Sequence, residues 1–218
     1  MSAKASSSSG GTRRKETRTK ILRAAEQLFA RDGFDRVTLR QIARASDQGN
    51  VAAVQYHFGS KKGLLGEIVD VHRREIDEER KRLLAESEGE GKGEELTSLI
   101  RILVIPLAQK LDDPDGRAYL RIQAQGLIHD TMRPATRTLV QRIGKSLGAM
   151  NSKESLKGGD PYRNRFALLL LFHALADRAQ EEEGGRVRRG DREEFVTSLE
   201  RAIERLFSTS PPPKSPIG

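Results

Sequence analysis

Cysteine is absent from the 218 residues. That excludes disulfides, thiol catalysis, zinc ribbons and iron–sulfur clusters, and it accords with a reducing cytoplasm. Tryptophan is absent too, and aromatic residues make up only 5% of the chain. Carbohydrate clefts and aromatic platforms for single-stranded nucleic acid are thereby disfavoured. The longest apolar run, Phe166–Phe172, falls far short of the ~20 residues that a bilayer-spanning helix needs. The first residues are rich in serine and lack an apolar stretch, so no secretory signal is expected. Catalytic patterns are missing as well: there is no Ser-His-Asp arrangement, no Walker loop and no GxGxxG. None of the four histidines, His57, His72, His129 and His173, has the spacing of a tight ligand set. His173 and Asp177 lie one helical turn apart, where a buried hydrogen-bonded pair is the first expectation and a metal the lesser one. No enzyme activity, cofactor or metal is expected.

What is present is basic charge in one place. The formal net charge is +8. Residues 1–62 hold thirteen Lys and Arg against five Asp and Glu, and residues 63–218 balance, so the whole excess lies in the first 62. Such asymmetry points to a small polyanion-binding module joined to a neutral body; a basic tail that merely aids solubility is the blander account.

Residues 1–16 lack periodic apolar residues and are expected to be a disordered basic arm, able to follow a DNA backbone or enter a minor groove. Residues 208–218 carry Pro211, Pro212, Pro213 and Pro216 and read as a disordered Pro-rich tail. Between them the periodicity is helical and no sustained alternation marks a strand, so the fold is read as all-α with about nine helices. Ile21, Ala24, Ala25, Leu28 and Phe29 form the stripe of a first helix, capped by Thr17 or Thr19 and ended by Gly33. Thr38 and Gln41 form a capping box for a short second helix with Leu39, Ile42 and Ala43 inward. Ser46–Asn50 is a polar turn, and a third short helix follows over about Val51–Phe58. Ser60 caps a long helix from Lys61 to about Glu86. Further helices are expected over Leu96–Leu111 with a kink at Pro106, from Asp113 to about Asp130, and from Pro134 to about Met150. The last two are expected over Tyr162–Gln180 and Asp191–Phe207, with Glu181–Gly190 between them as a charged, solvated loop.

Three short helices with a polar turn between the second and third make a helix-turn-helix plan, in which the third enters the major groove. At this point a resemblance appears. Ile21–Leu65 resembles the DNA-binding domain of the tetracycline-repressor (TetR) family of bacterial regulators. The matching residues are Ile21, Ala25, Leu28, Phe29, Gly33, Phe34, Thr38, Ile42, Ala43, Tyr56, His57, Phe58, Ser60, Lys61 and Leu64, and Ala52–Lys61 is the most specific stretch. Two departures bear on the base register and not on the fold: Ser46–Asn50 is about one residue longer than the family's usual turn, and Gln55 stands where many members carry Tyr.

The chemistry of the third helix agrees with that role. Ala52 and Ala53 keep its outward side small, so its backbone can approach the bases. Asn50 and Gln55 suit bidentate contacts to adenine, while Val51, Ala52 and Ala53 suit a thymine methyl. Tyr56, His57, Thr38 and Lys61 are phosphate-type contacts. Arg40 and Gln41 open the preceding helix and can reach a phosphate or base edge. These residues define a DNA-binding domain over 17–62, leaving 63–207 as an effector-binding and dimerisation domain.

For that second domain the resemblance implies a ligand pocket and a homodimer built from the last two helices. The expected pocket lining is His72, Ile76, Leu103, Gln123, Leu127, Met132 and Phe166, suited to an apolar small molecule with one or two polar groups. The expected dimer contacts are Phe166, Leu170, His173, Leu199 and Ile203; the helix around Phe166 is apolar nearly all round and so has a second surface to cover. The functional expectation is a cytoplasmic, ligand-responsive repressor that binds a palindromic operator as a homodimer. An activator or effector-independent regulator of the same fold is the alternative, and an enzyme or small-molecule carrier the remote one.

Overall fold

Side chains at the helix ends set most of the boundaries. The computed structural model describes residues 7–125, 142, 161–187 and 191–208. Among them are eight α-helices, one short 3-10 helix and no strand. Helix α1 spans Ser7–Asp32, α2 Leu39–Ala45, α3 Val51–Phe58 and α4 Lys61–Gly89. Helix α5 spans Leu96–Ala108, followed by the 3-10 helix Gln109–Asp112 and then by α6, Pro114–Ala124. Helices α7 and α8 span Pro161–Glu183 and Arg192–Ser208. Apart from residue 142, the helix expected over 134–150 lies outside the described residues, as do the tail after Ser208, Leu127 and Met132. No described helix is long and apolar enough to cross a membrane.

Asp113 Oδ1 accepts from the Gly116 amide at 2.8 Å, capping α6 ahead of Pro114 at its first position. Pro106 falls in the last turn of α5, so its missing amide helps end the helix rather than bend its middle. The corner between α3 and α4 is tight. Gly59 there has φ 69°, and a Cβ on Gly63 would come within 2.4 Å of the Phe58 carbonyl oxygen.

Two expectations are corrected. The first concerns the arm: α1 begins at Ser7, so residues 7–16 are helical, and Thr17 and Thr19 lie within the helix instead of capping it. Once 17–32 has nucleated, each residue added upstream gains a backbone bond without a new nucleation cost. The second concerns Glu181–Glu183, which form the last turn of α7 rather than a solvated loop. Glu182 accepts from Arg178 at 2.9 Å and from Arg192 at 2.5 Å, and Glu183 from Arg117 at 3.2 Å and Arg121 at 2.5 Å. Four guanidiniums thus offset the unfavourable placing of carboxylates at a helix C-terminus.

Two apolar cores share two helices. Ile21, Ala25, Phe29, Val37, Ile42, Val54, Leu64 and Ile68 build the core of the N-terminal head, and Ala118 and Ile122 of α6 complete it. Ile76 of α4, much of α5, Tyr119 and Leu120 of α6, and the inner faces of α7 and α8 build the core of the body. The head's packing therefore continues past residue 62 into α4 and α6. At the seam, His72 Nε2 of α4 and Glu26 Oε1 of α1 share a buried 2.7 Å hydrogen bond, and the His72 ring stacks on Tyr119 at 4.5 Å.

Burial pushes the Glu26 carboxyl above its ordinary value, against the opposing hydrogen bond and charge of His72. A carboxyl with a raised folded-state pKa stabilises the fold least once pH has risen through that pKa, and most below the unfolded value. His72→Ala leaves this carboxyl buried and unpaired. It is expected to cost about 3–5 kcal/mol. The loss should be larger at pH 8 than at pH 5, as read by urea denaturation; equal losses at both would mean that Glu26 does not need its partner.

Candidate nucleic-acid interface

The head holds α3 by its caps and by one buried side chain. Thr38 Oγ1 accepts from the Gln41 amide at 3.3 Å while Gln41 Oε1 accepts from the Thr38 amide at 2.8 Å, closing the expected capping box of α2. Ser46 donates to the carbonyls of Ile42 and Ala43 at 2.8 and 3.1 Å, and Asp47 turns the chain with φ 57°. Asn50 Oδ1 then accepts from the Ala52 amide at 2.9 Å and starts α3. Val54 anchors α3 in the head core. With eight residues, α3 is about 12 Å long, close to the ~12 Å width of a major groove.

The expected reading residues divide into two groups. Arg40, Ala52, Gln55 and Tyr56 are exposed on α2 and α3, with Tyr56 70% accessible. Val51, Ala53 and His57 are half-buried beside them. These seven lie on α2 and α3. The other four are engaged by the head itself. Thr38 and Gln41 are exposed but tied to one another, and the Asn50 carbonyl oxygen holds the start of α3 instead of standing clear for adenine. Lys61 departs furthest from its expected phosphate role. Its ammonium donates to the carbonyls of Phe34 and Val37 at 2.9 Å each and of Asp35 at 3.4 Å, and lies 4.4 Å from the centroid of the Phe34 ring. It clamps the loop between α1 and α2 onto the start of α4.

Further cations stand beside these residues. Arg44 and Lys62 are exposed near the expected contacts. From α1, the Arg14 guanidinium lies 5.3 Å from the centroid of the Tyr56 ring, and that of Arg18 5.2 Å from Phe58. Their spacing, one helical turn apart on a basic helix, was the available signal. Partial burial and then the charges of Arg14 and Arg18 hold the His57 imidazole below its ordinary value.

Five of the seven expected effector residues lie among the described residues. His72 borders a 390 Å³ crevice between α1, α4 and the start of α6, where it pairs with Glu26. Ile76 and Leu103 are packed in the body core, Gln123 is buried, and Phe166 is exposed. Leu127 and Met132 lie outside the described residues. Of the expected dimer contacts, Phe166 is 53% accessible, His173 exposed and Leu170 half-buried, all on α7. Leu199 and Ile203 of α8 are instead buried within the chain's own core, because α8 packs its apolar stripe onto α5 and α7. His173 and Asp177 are both exposed, and no three His, Asp or Glu among the described residues group as metal ligands.

Residues 21–68 match the family of bacterial regulatory proteins described as the tetR family. Over those residues the head is similar to the tetR-family DNA-binding unit. The tetR-family match spans α1 from Ile21, the whole of α2 and α3, and the first turns of α4, which is the unit whose geometry is described above. The family is one of regulators, not of enzymes. Among solved structures, the chain is similar to the TetR family protein CprB from Streptomyces coelicolor, determined in complex with its biological operator sequence. Identity is 21%, the match covers 88% of this chain and 99% of that one, and the TM-score is 0.51. A gamma-butyrolactone receptor described as ArpA-like is similar at 21% identity over 88% of this chain and 98% of that one, with TM-score 0.50. At such identities the likeness is one of fold: a tetR-type head on a helical body. No curated protein matches the chain.

Lys61→Ala is expected to destabilise the head by about 1–3 kcal/mol, since three carbonyls lose their donor. The slope of log DNA affinity against log salt should stay unchanged. Denaturation and salt titration of the same variant separate the two roles: a slope reduced by about 0.9 per protomer with stability intact would restore Lys61 to the phosphate contacts.

Proposed function

We propose that the chain is a cytoplasmic, ligand-responsive transcriptional repressor that binds a palindromic operator as a homodimer and is released by a small-molecule effector. The observation that carries this reading is the exposed face of α3, presented on a tetR-family head with Ala52, Gln55 and Tyr56 outward and every cap of the helix satisfied from within. In this reading Gln55 contacts a base edge, and Arg40, Tyr56 and His57 contact the backbone.

Dimerisation is supported by α7. Its inner face, Ala167, Leu171, Leu175 and Ala179, fills the body core, while Leu168, Leu169, Leu170 and Phe172 stay only half-buried on other sides. An apolar helix with a second uncovered side calls for a partner. Two heads about one helical turn apart, roughly 34–36 Å, would then occupy successive major grooves.

Release is supported by α6, which contributes to both cores. A ligand that displaces α6 within the body also displaces Ala118 and Ile122 beneath the head. It lowers operator affinity only by binding the DNA-incompetent arrangement more tightly. A promoter reporter with and without the protein distinguishes a repressor from an activator of the same fold.

Gln55→Ala is expected to change base preference at one position of each half-site, at a cost of about 1–3 kcal/mol there, with non-specific binding nearly intact. A binding-site selection that returns the wild-type preference would remove Gln55 from the readout.

The two ends of the expected dimer set should behave differently. Leu170→Glu, on the outer side of α7, is expected to give folded monomers, whereas Leu199→Glu buries an unpaired charge and should unfold the chain. Sedimentation and circular dichroism read both; a wild-type monomer at micromolar concentration that still grips a palindrome would overturn the dimer.

A further inference from the structure

The N-terminal half of α1 carries Arg13, Arg14, Lys15, Arg18 and Lys20 and no apolar stripe before Ile21. It projects beyond the head core, yet it does not stand apart from the reading helix. Arg14 and Arg18, one turn apart, face the C-terminal end of α3: Arg14 lies over the Tyr56 ring and Arg18 over the Phe58 ring. Their charges are answered differently. Arg18 pairs with Glu67 of α4 at 2.5 Å. Among the described residues no carboxylate pairs with Arg14. The Tyr56 and His57 rings meet edge-on, 5.4 Å between centroids. One guanidinium, one exposed phenol and one imidazole are thus gathered at a single corner of the head, and among the described residues no acidic group pairs with them.

We propose that Arg14, held in place by the helical extension of α1, completes with Tyr56 and His57 a clamp for one backbone phosphate of double-stranded DNA beside the reading helix. This rests on the DNA-binding reading above and adds α1 to it as a rigid contact element. A guanidinium and two neutral donors are the set that a phosphodiester accepts from, and such contacts fix register without reading sequence. Helical order in residues 11–20 matters here because it holds Arg14 at one height along α3, whereas a disordered arm would pay to order itself on binding.

The electrostatics of His57 agree with this site. The cations facing it are Arg14 and Arg18 of α1, with Glu67 of α4 answering the second and Tyr56 adjoining it on α3. In the free protein partial burial, and after it the charges of these cations, disfavour the imidazolium. A phosphate seated among them reverses the charge balance and raises the proton affinity of His57. DNA binding then takes up a proton, so affinity strengthens as pH falls through the bound-state value of His57 toward its free-state one.

The test uses the full-length protein and a random-sequence duplex as the phosphate probe, in salt titrations of the wild type, Arg14→Gln and Arg14→Lys. Arg14→Gln is expected to lower the slope of log affinity against log salt by about 0.9 for each protomer engaged, while Arg14→Lys retains it. Glutamine and arginine have similar helix propensities, and circular dichroism checks that α1 stays helical. Tyr56→Phe, which removes only a hydroxyl, should weaken binding to all sequences alike without changing the slope. His57→Gln should flatten the pH dependence of affinity. Parallel salt lines for wild type and Arg14→Gln overturn the clamp. If the wild type itself shows no salt-dependent affinity for duplex DNA, it is the DNA-binding reading that fails.

Discussion

Helix α6 is packed into two cores at once, and the rest of the architecture depends on that sharing. On an eleven-residue helix, Ala118 and Ile122 point one way into the head while Tyr119 and Leu120 point the other way into the body. Interiors packed to the density of organic crystals do not deform smoothly, so a displaced α6 must be accommodated by both cores or by neither. The buried bond between Glu26 and His72, with Tyr119 stacked upon it, ties the same junction with polar groups. That bond is directional, so α1, α4 and α6 are held at one angle as well as one distance. The head and the body are better regarded as two cores with a common wall than as two domains on a string.

Within the head, the economy of polar groups decides what faces outward. Thr38, Gln41, Asn50, Ser60 and Lys61 all have the chemistry of DNA contacts. All five are used to close helix ends or to pin a loop. The exposed amides at helix starts and the carbonyls of the 34–37 loop would otherwise lack partners, and a side chain already on the spot satisfies them at little entropic cost. What remains for a ligand is a narrower set: Arg40, Ala52, Gln55, Tyr56 and their immediate neighbours. Rigidity of the caps and freedom of the reading face are two sides of one allocation.

In the body, charge does what apolar packing leaves undone. The last turn of α7 ends in three glutamates, an unfavourable place for negative charge, yet Arg117 and Arg121 of α6 and Arg192 of α8 converge upon it. These bridges join the three helices at one end of the bundle, while the apolar stripe of α8 closes against α5. Among the described residues of α7, Phe166 stays exposed.

Local signals in the sequence determined the helices and the class of the head. The capping box at Thr38, the stop at Gly33, the cap at Ser60 and the stripe from Ile21 to Phe29 each act within one or two turns of chain, so they can be read without knowing what lies opposite. The same locality made the all-helical class and the helix-turn-helix order legible. Tertiary structure alone decided which polar groups are free, because that depends on partners distant in the chain: Lys61 meets the carbonyls of residues 34, 35 and 37, His72 meets Glu26, and Glu183 meets Arg117 and Arg121. It also decided that Leu199 and Ile203 face inward, since an amphipathic stripe shows that a helix has a buried side without showing whether its own chain or another covers it. And it decided that α1 continues to Ser7 and brings Arg14 to Tyr56, because an upstream extension without apolar residues leaves no periodic mark and is sustained by the helix that follows it.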